Sequence, residues 1–155
     1  MAPFGSPPAY APLLQYDQML WNDYVAAFGS SDTLGFSIIA DAAHANSVSA
    51  VYAASTYGNH GAPPLFDVHI YDETGVSFAT AFTAFKAQGY AGTIWIIGEA
   101  YYNDAAEAAS LRQQVTSTGQ SVLYLTQWPL TSTSTCADVN IAPPADFANY
   151  QAQDF

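Results

Sequence analysis

Basic residues are almost missing from this sequence. Lys86 and Arg112 stand against thirteen acidic side chains, and the formal charge is −11. Nucleic-acid binding rests on neutralising phosphates with Lys and Arg, so the composition argues against that partner. It argues equally against docking on anionic membranes. The acidity serves solubility. Cysteine is nearly missing too: Cys136 is alone, so no internal disulfide can form, and nothing near it suggests a nucleophile. No apolar run is long enough to span a bilayer. Met1 to Pro12 lacks the basic start and apolar stretch of a signal peptide, so an exported parent would carry its signal outside this chain. No G-x-G-x-x-G or Walker sequence occurs, which removes the usual nucleotide sites. Neither H-E-x-x-H nor H-x-x-E-H is present, so no metal and no other cofactor is expected.

What is present is apolar and aromatic. Half of the 155 residues are apolar and 15% are Phe, Trp or Tyr, ample material for one core. Low Lys with abundant Ser, Thr, Tyr and Asn resembles the composition of an extracellular protein.

The pattern alternates helix and strand. From Leu13, the residues Trp21, Tyr24, Val25 and Phe28 follow helical spacing, and Gly29 stops the run. Leu34 to Ala40 reads as a buried strand. Asn46 or Ser47 can cap a helix bearing Val48, Val51 and Tyr52. After a Gly- and Pro-containing loop, Leu65 to Tyr71 forms the second strand. Phe78, Phe82 and Phe85 mark the next helix, ending at Gly89, and Thr93 to Ile97 is the third strand. Asp104 with Glu107 resembles a capping box for a helix carrying Leu111 and Val115, which Gly119 ends. Ser121 to Thr126 is the fourth strand.

Apolar strands separated by helices predict an α/β fold with a parallel sheet. The strands fall roughly 30 residues apart, close to the ~31 per unit of a (β/α)8 barrel. A small open doubly wound sheet has similar spacing and is the alternative. Residues 1–12 read as an N-terminal extension, 13–130 as the α/β domain and 131–155 as a C-terminal tail.

Either architecture places a site at the C-terminal ends of the strands. Those ends supply Asp41 and His44, then His69, Tyr71, Asp72 and Glu73, then Glu99, Tyr101, Tyr102 and Asn103, then Gln127 and Trp128. Glu99 follows an apolar strand and a glycine, a partly desolvated setting that suits attack on an anomeric carbon. A solvated loop Glu fits the same position. His69 and Tyr71 are two apart and share a strand face; a hydrogen-bonded core histidine is the other reading. Trp128 can stack on a sugar ring or plug the end of the core.

Three segments, FDVHIYD, TIWIIGEAYYND and VLYLTQWPL, resemble strands six to eight of retaining glycoside hydrolases of the (β/α)8 clan that includes cellulases and mannanases. The resemblance covers about Leu13 to Leu130 and implies the C-terminal half, strands five to eight, of a TIM barrel. It implies Glu99 as the nucleophile and His69 and Tyr71 as substrate contacts, with Trp128 at the place of the clan's frequent Trp after strand eight; Tyr101 and Asp41 join them as candidate contacts from their strand-end positions alone. It implies an oligosaccharide or polysaccharide as ligand. The clan's acid/base, a Glu in an Asn-Glu pair after strand four, has no counterpart here, because the chain contains no Asn-Glu. Retaining hydrolysis uses two carboxyl groups about 5–5.5 Å apart. The expectation is therefore a half-barrel completed by a second copy or by a complementary half. Set against it are a non-catalytic carbohydrate-binding or structural remnant, and an unrelated open α/β domain that binds a small polar ligand.

Overall fold

The computed structural model describes residues 11–30, 35–38, 40, 45–53, 57–58, 60–71, 75–90, 94–101, 103–127, 130–131, 140–141 and 147–155. Helix α1 is Ala11–Phe28 and strand β1 is Ser37–Ile38, followed by α2, Ala45–Tyr52, and β2, Phe66–His69. Then come α3, Phe78–Ala87, β3, Ile94–Ala100, α4, Ala105–Thr118, and β4, Ser121–Gln127. The strand pair β5, Leu130–Thr131, and β6, Asn140–Ile141, is antiparallel, and α5, Ala148–Gln151, follows.

Strands β1 to β4 form one parallel sheet in consecutive order. The expected α/β class holds. The order runs without the reversal that defines a doubly wound sheet. Right-handed crossovers between consecutive neighbours send every connecting helix to the same side. The packing agrees, because Val51 of α2, Phe85 of α3 and Leu111 of α4 share one buried cluster with Val68 and Ile97 of the sheet.

That cluster is mostly aromatic at its centre. Phe66, Phe85 and Trp95 meet with ring centroids 4.6–5.0 Å apart, and Phe78 and Tyr52 lie against them. Tilted and edge-on contacts of this kind add to the area each ring buries. Trp95 satisfies its indole by donating to Gln120 Oε1 at 2.8 Å.

Local chemistry sets the helix ends. Ser77 caps α3 in a reciprocal box with Thr80, which the sequence reading did not single out. At the other end Tyr90 N–H donates to Phe85 O and Gly89 N–H to Lys86 O, with Gly89 at φ +83°. This Schellman closure needs the left-handed residue that glycine supplies. Asp104 caps α4 as expected, accepting from Glu107 N at 2.8 Å.

The strands differ from expectation in length. Of the first, expected over Leu34 to Ala40, the described residues show a ladder at Ser37–Ile38, with Leu34 and Ile39 outside the described residues. Before this ladder the Tyr52 hydroxyl sits between the strands. It donates to Phe36 O at 2.8 Å and accepts from Asp67 N at 2.9 Å, groups that a longer ladder would use. The third strand continues three residues past the expected Ile97, to Ala100. The first helix begins at Ala11, within the segment read as an extension. The C-terminal segment ends docked. Tyr150 is buried in the core and donates to Tyr101 O at 2.7 Å. Arg112 holds the Gln153 and Asp154 carbonyls and lies 4.4 Å from the Phe155 ring.

Tyr52→Phe keeps the ring and removes the bridge, leaving a buried N–H and a carbonyl without that partner. It should cost about 1–3 kcal/mol in urea denaturation. A loss below about 0.5 kcal/mol would show that the two strands close without the hydroxyl.

Candidate functional site

Along β2 the side chains alternate. Phe66 and Val68, with Ile70 just beyond, join the helix-side core, so Asp67, His69 and Tyr71 face the other way. On β3, Trp95 and Ile97 point to the helices and Gly98 to the opposite face. Simple alternation would return Glu99 to the helix side, where a carboxylate would lie among aromatic rings. A β-bulge prevents this. Against β2, Val68 pairs with Ile97 but His69 with Glu99; against β4, Ile97 pairs with Leu125 and Ala100 with Gln127. The extra residue puts Glu99 on the face of His69 and Tyr71 and restores Ala100 to the core.

The bulge is closed by hydrogen bonds. Ile70 N–H donates to Glu99 O at 2.9 Å, resuming the ladder. The Thr126 hydroxyl donates to Gly98 O. Gly98 is required here, because a Cβ would stand 2.3 Å from Ser37 Oγ and 2.5 Å from Asp67 Oδ1.

Three expected site residues converge. Tyr71 Oη donates to Glu99 Oε1, and His69 Nδ1 lies 3.4 Å from Glu99 Oε2. Tyr101 packs edge-on against Tyr71 with centroids 4.7 Å apart. Burial, then the hydrogen bond and charge of Glu99, push the Tyr71 phenol well above its ordinary range, so it remains a donor. Burial lowers the His69 pKa and outweighs the opposing pull of Glu99, which keeps the imidazole neutral near pH 7. Asp41 and Trp128 lie outside the described residues, as do His44, Asp72, Glu73 and Tyr102. Among the described residues no group of three metal-ligating side chains is found.

Sequence reasoning missed Asp67. It is 8% exposed, its Oδ1 has no hydrogen-bond partner, and burial raises its pKa to about 6, with Ser37 and the Gly98 backbone pulling the other way. The signal was available, since Asp67, His69 and Tyr71 are spaced by two in one strand. A second buried carboxyl, Asp17 of α1, is also raised to about 6 by burial, far from Glu99 in the chain and beside Tyr57.

Comparison with protein-family models, with curated proteins and with solved structures finds no match to this chain. Its function has to be read from the site.

The raised Asp67 pKa has a sign. A carboxyl that moves from 3.8 unfolded to about 6 folded binds its proton more tightly in the native state. Its stability contribution is complete below the unfolded value and disappears as pH rises through 6. Relative to Asp67→Asn, the native chain should therefore gain roughly 2–3 kcal/mol between pH 8 and pH 4. Taking the difference between the two proteins removes the opposite trend from His69. Equal pH profiles in urea denaturation would mean that Asp67 is hydrated.

Proposed function

We propose that this chain is a glycoside hydrolase-like half of a (β/α)8 barrel that acts on or binds a polysaccharide, with Glu99 as its nucleophile. One observation carries the reading: the bulge in β3 takes Glu99 off the aromatic core and sets both of its oxygens against Tyr71 and His69. A nucleophilic carboxylate must be held in one orientation and aimed at C1 of the sugar. The Tyr71 hydroxyl fixes Oε1, and the neutral His69 and the edge-packed Tyr101 offer polar and aromatic contacts to a sugar. Trp128 and Asp41 remain contacts on sequence grounds.

The general acid is expected from outside this half. The sheet leaves β1 and β4 as edges, and Leu123 and Tyr124 of β4 are exposed. A two-fold axis along the strand direction would keep all strands parallel and bring eight together. We therefore expect a dimer, or pairing with a complementary half, in light scattering at micromolar concentration. A monomer with a cooperative melt would count against barrel closure.

The second reading, a carbohydrate-binding remnant without catalysis, is favoured by the burial of Asp67, which puts that carboxyl out of reach of a leaving group. Covalent labelling separates the two. In an activated 2-fluoro aryl glycoside the leaving aryloxide scarcely needs protonation. Glu99 would attack C1, the C1–O bond would break with its electron pair leaving on the aryloxide, and a glycosyl ester would remain. One sugar mass should appear on the Glu99 peptide, be lost in Glu99→Gln and persist in Glu73→Gln. A folded chain that binds the glycoside but is never labelled belongs to the second reading.

A further inference from the structure

We propose that Asp67 is a positioning residue for Glu99: with Ser37 it is wedged over the bare Cα of Gly98 and holds the bulge that turns Glu99 towards Tyr71 and His69. The inference rests on Glu99 being the working group of the site.

The contacts run across three strands. Ser37 Oγ from β1 and Asp67 Oδ1 from β2 occupy the space that a Gly98 side chain would fill, and Asp67 Cγ lies 3.2 Å from that point. Gly98 and Glu99 are the two residues that stand opposite His69. Whatever seats Gly98 therefore sets the direction of Glu99. The other side of the same peptide is held by Thr126, whose hydroxyl takes the Gly98 carbonyl. Asp67 cannot drift, because its own N–H is tied to Tyr52 Oη and through it to Phe36 O.

A carboxyl is a costly filler for this place. Its Oδ1 is buried without a close hydrogen bond, Ser37 and the Gly98 backbone only partly stabilising the carboxylate, and an unmet buried acceptor costs about 1–3 kcal/mol. An alanine or a valine would cover Gly98 with less loss of hydration. A bulge, a crowded glycine and a buried carboxyl meeting beside Glu99 break local rules together, as functional placement does. Burial also raises the Asp67 pKa to about 6, so the wedge carries no charge only below that pH.

The test measures how strongly Glu99 is held against His69, in the full chain and without sugar. Glu99 raises the His69 pKa, so Glu99→Gln should lower the His69 titration midpoint read by NMR of labelled histidine, with His69→Gln assigning the signal. That fall is the coupling. In Asp67→Ala it should shrink by half or more, while far-UV circular dichroism stays native. Asp67→Asn keeps the shape of the wedge and should retain the coupling. If Asp67→Ala does not fold, Asp67→Ser takes its place in the same cycle. Coupling unchanged in the folded variant, or lost equally in Asp67→Asn, overturns the proposal. Glycoside labelling is scored apart: a chain that loses coupling in Asp67→Ala but is never labelled keeps the positioning role and loses the nucleophile reading.

Discussion

Everything at the candidate site depends on the helices packing against a single face of the sheet. Four consecutive parallel strands send their crossovers the same way. Phe66, Phe85 and Trp95 then lock one face into a dry aromatic layer. The other face receives the polar side chains that the two-residue period of the strands sorts there, Ser37, Asp67 and His69, around the bare Cα of Gly98. The same period would have sent Glu99 into the aromatic layer. A charged group there would cost several kcal/mol unless neutralised or paired. One inserted residue in β3 resolves that conflict, and the site exists because of it.

The bulge is not a relaxed feature of the sheet. It leaves a carbonyl that Thr126 takes up and a Cα that tolerates no side chain, and it is flanked by a carboxyl with an unmatched oxygen. Each is a local departure from what a strand prefers, and all meet beside Glu99. Such departures persist where surrounding packing over-determines them. Here the Tyr52 hydroxyl between β1 and β2 and the aromatic layer behind β3 provide that constraint.

The electrostatics follow from the scarcity of cations. Both basic side chains are used structurally. Arg112 holds the carbonyls near the C-terminus, and Lys86 lies in the last turn of α3, 5.9 Å from the Phe82 ring. Neither is available to pair with the carboxylates of the sheet. Asp17 and Asp67 are accordingly governed by burial and are raised, not lowered as ion-paired carboxylates would be. Tyr71 and His69 must then engage Glu99 through a hydroxyl and a neutral imidazole. That arrangement suits an uncharged polar ligand, such as a sugar, better than an anion.

Much of this was legible in the sequence because it is local. Alternating apolar runs and helical stripes carry the α/β order, and Gly89, Asp104 and Gly119 mark helix ends by chemistry that acts within a few residues. His69 and Tyr71 on one face follow from a spacing of two. What the sequence could not settle depends on neighbours distant in the chain. The strand holding Glu99 runs on to Ala100 because the bulge is set by pairing with β2 and β4 together. Between the first two strands, a hydroxyl from α2 takes the place of a direct bond from Asp67 N to Phe36 O. Asp67 matters because Gly98, thirty-one positions on, has no side chain in its way. The sequence by itself determined which faces are apolar; only tertiary packing decided where the two-residue period would be broken, since a bulge is stable only when other strands supply the bonds it leaves open.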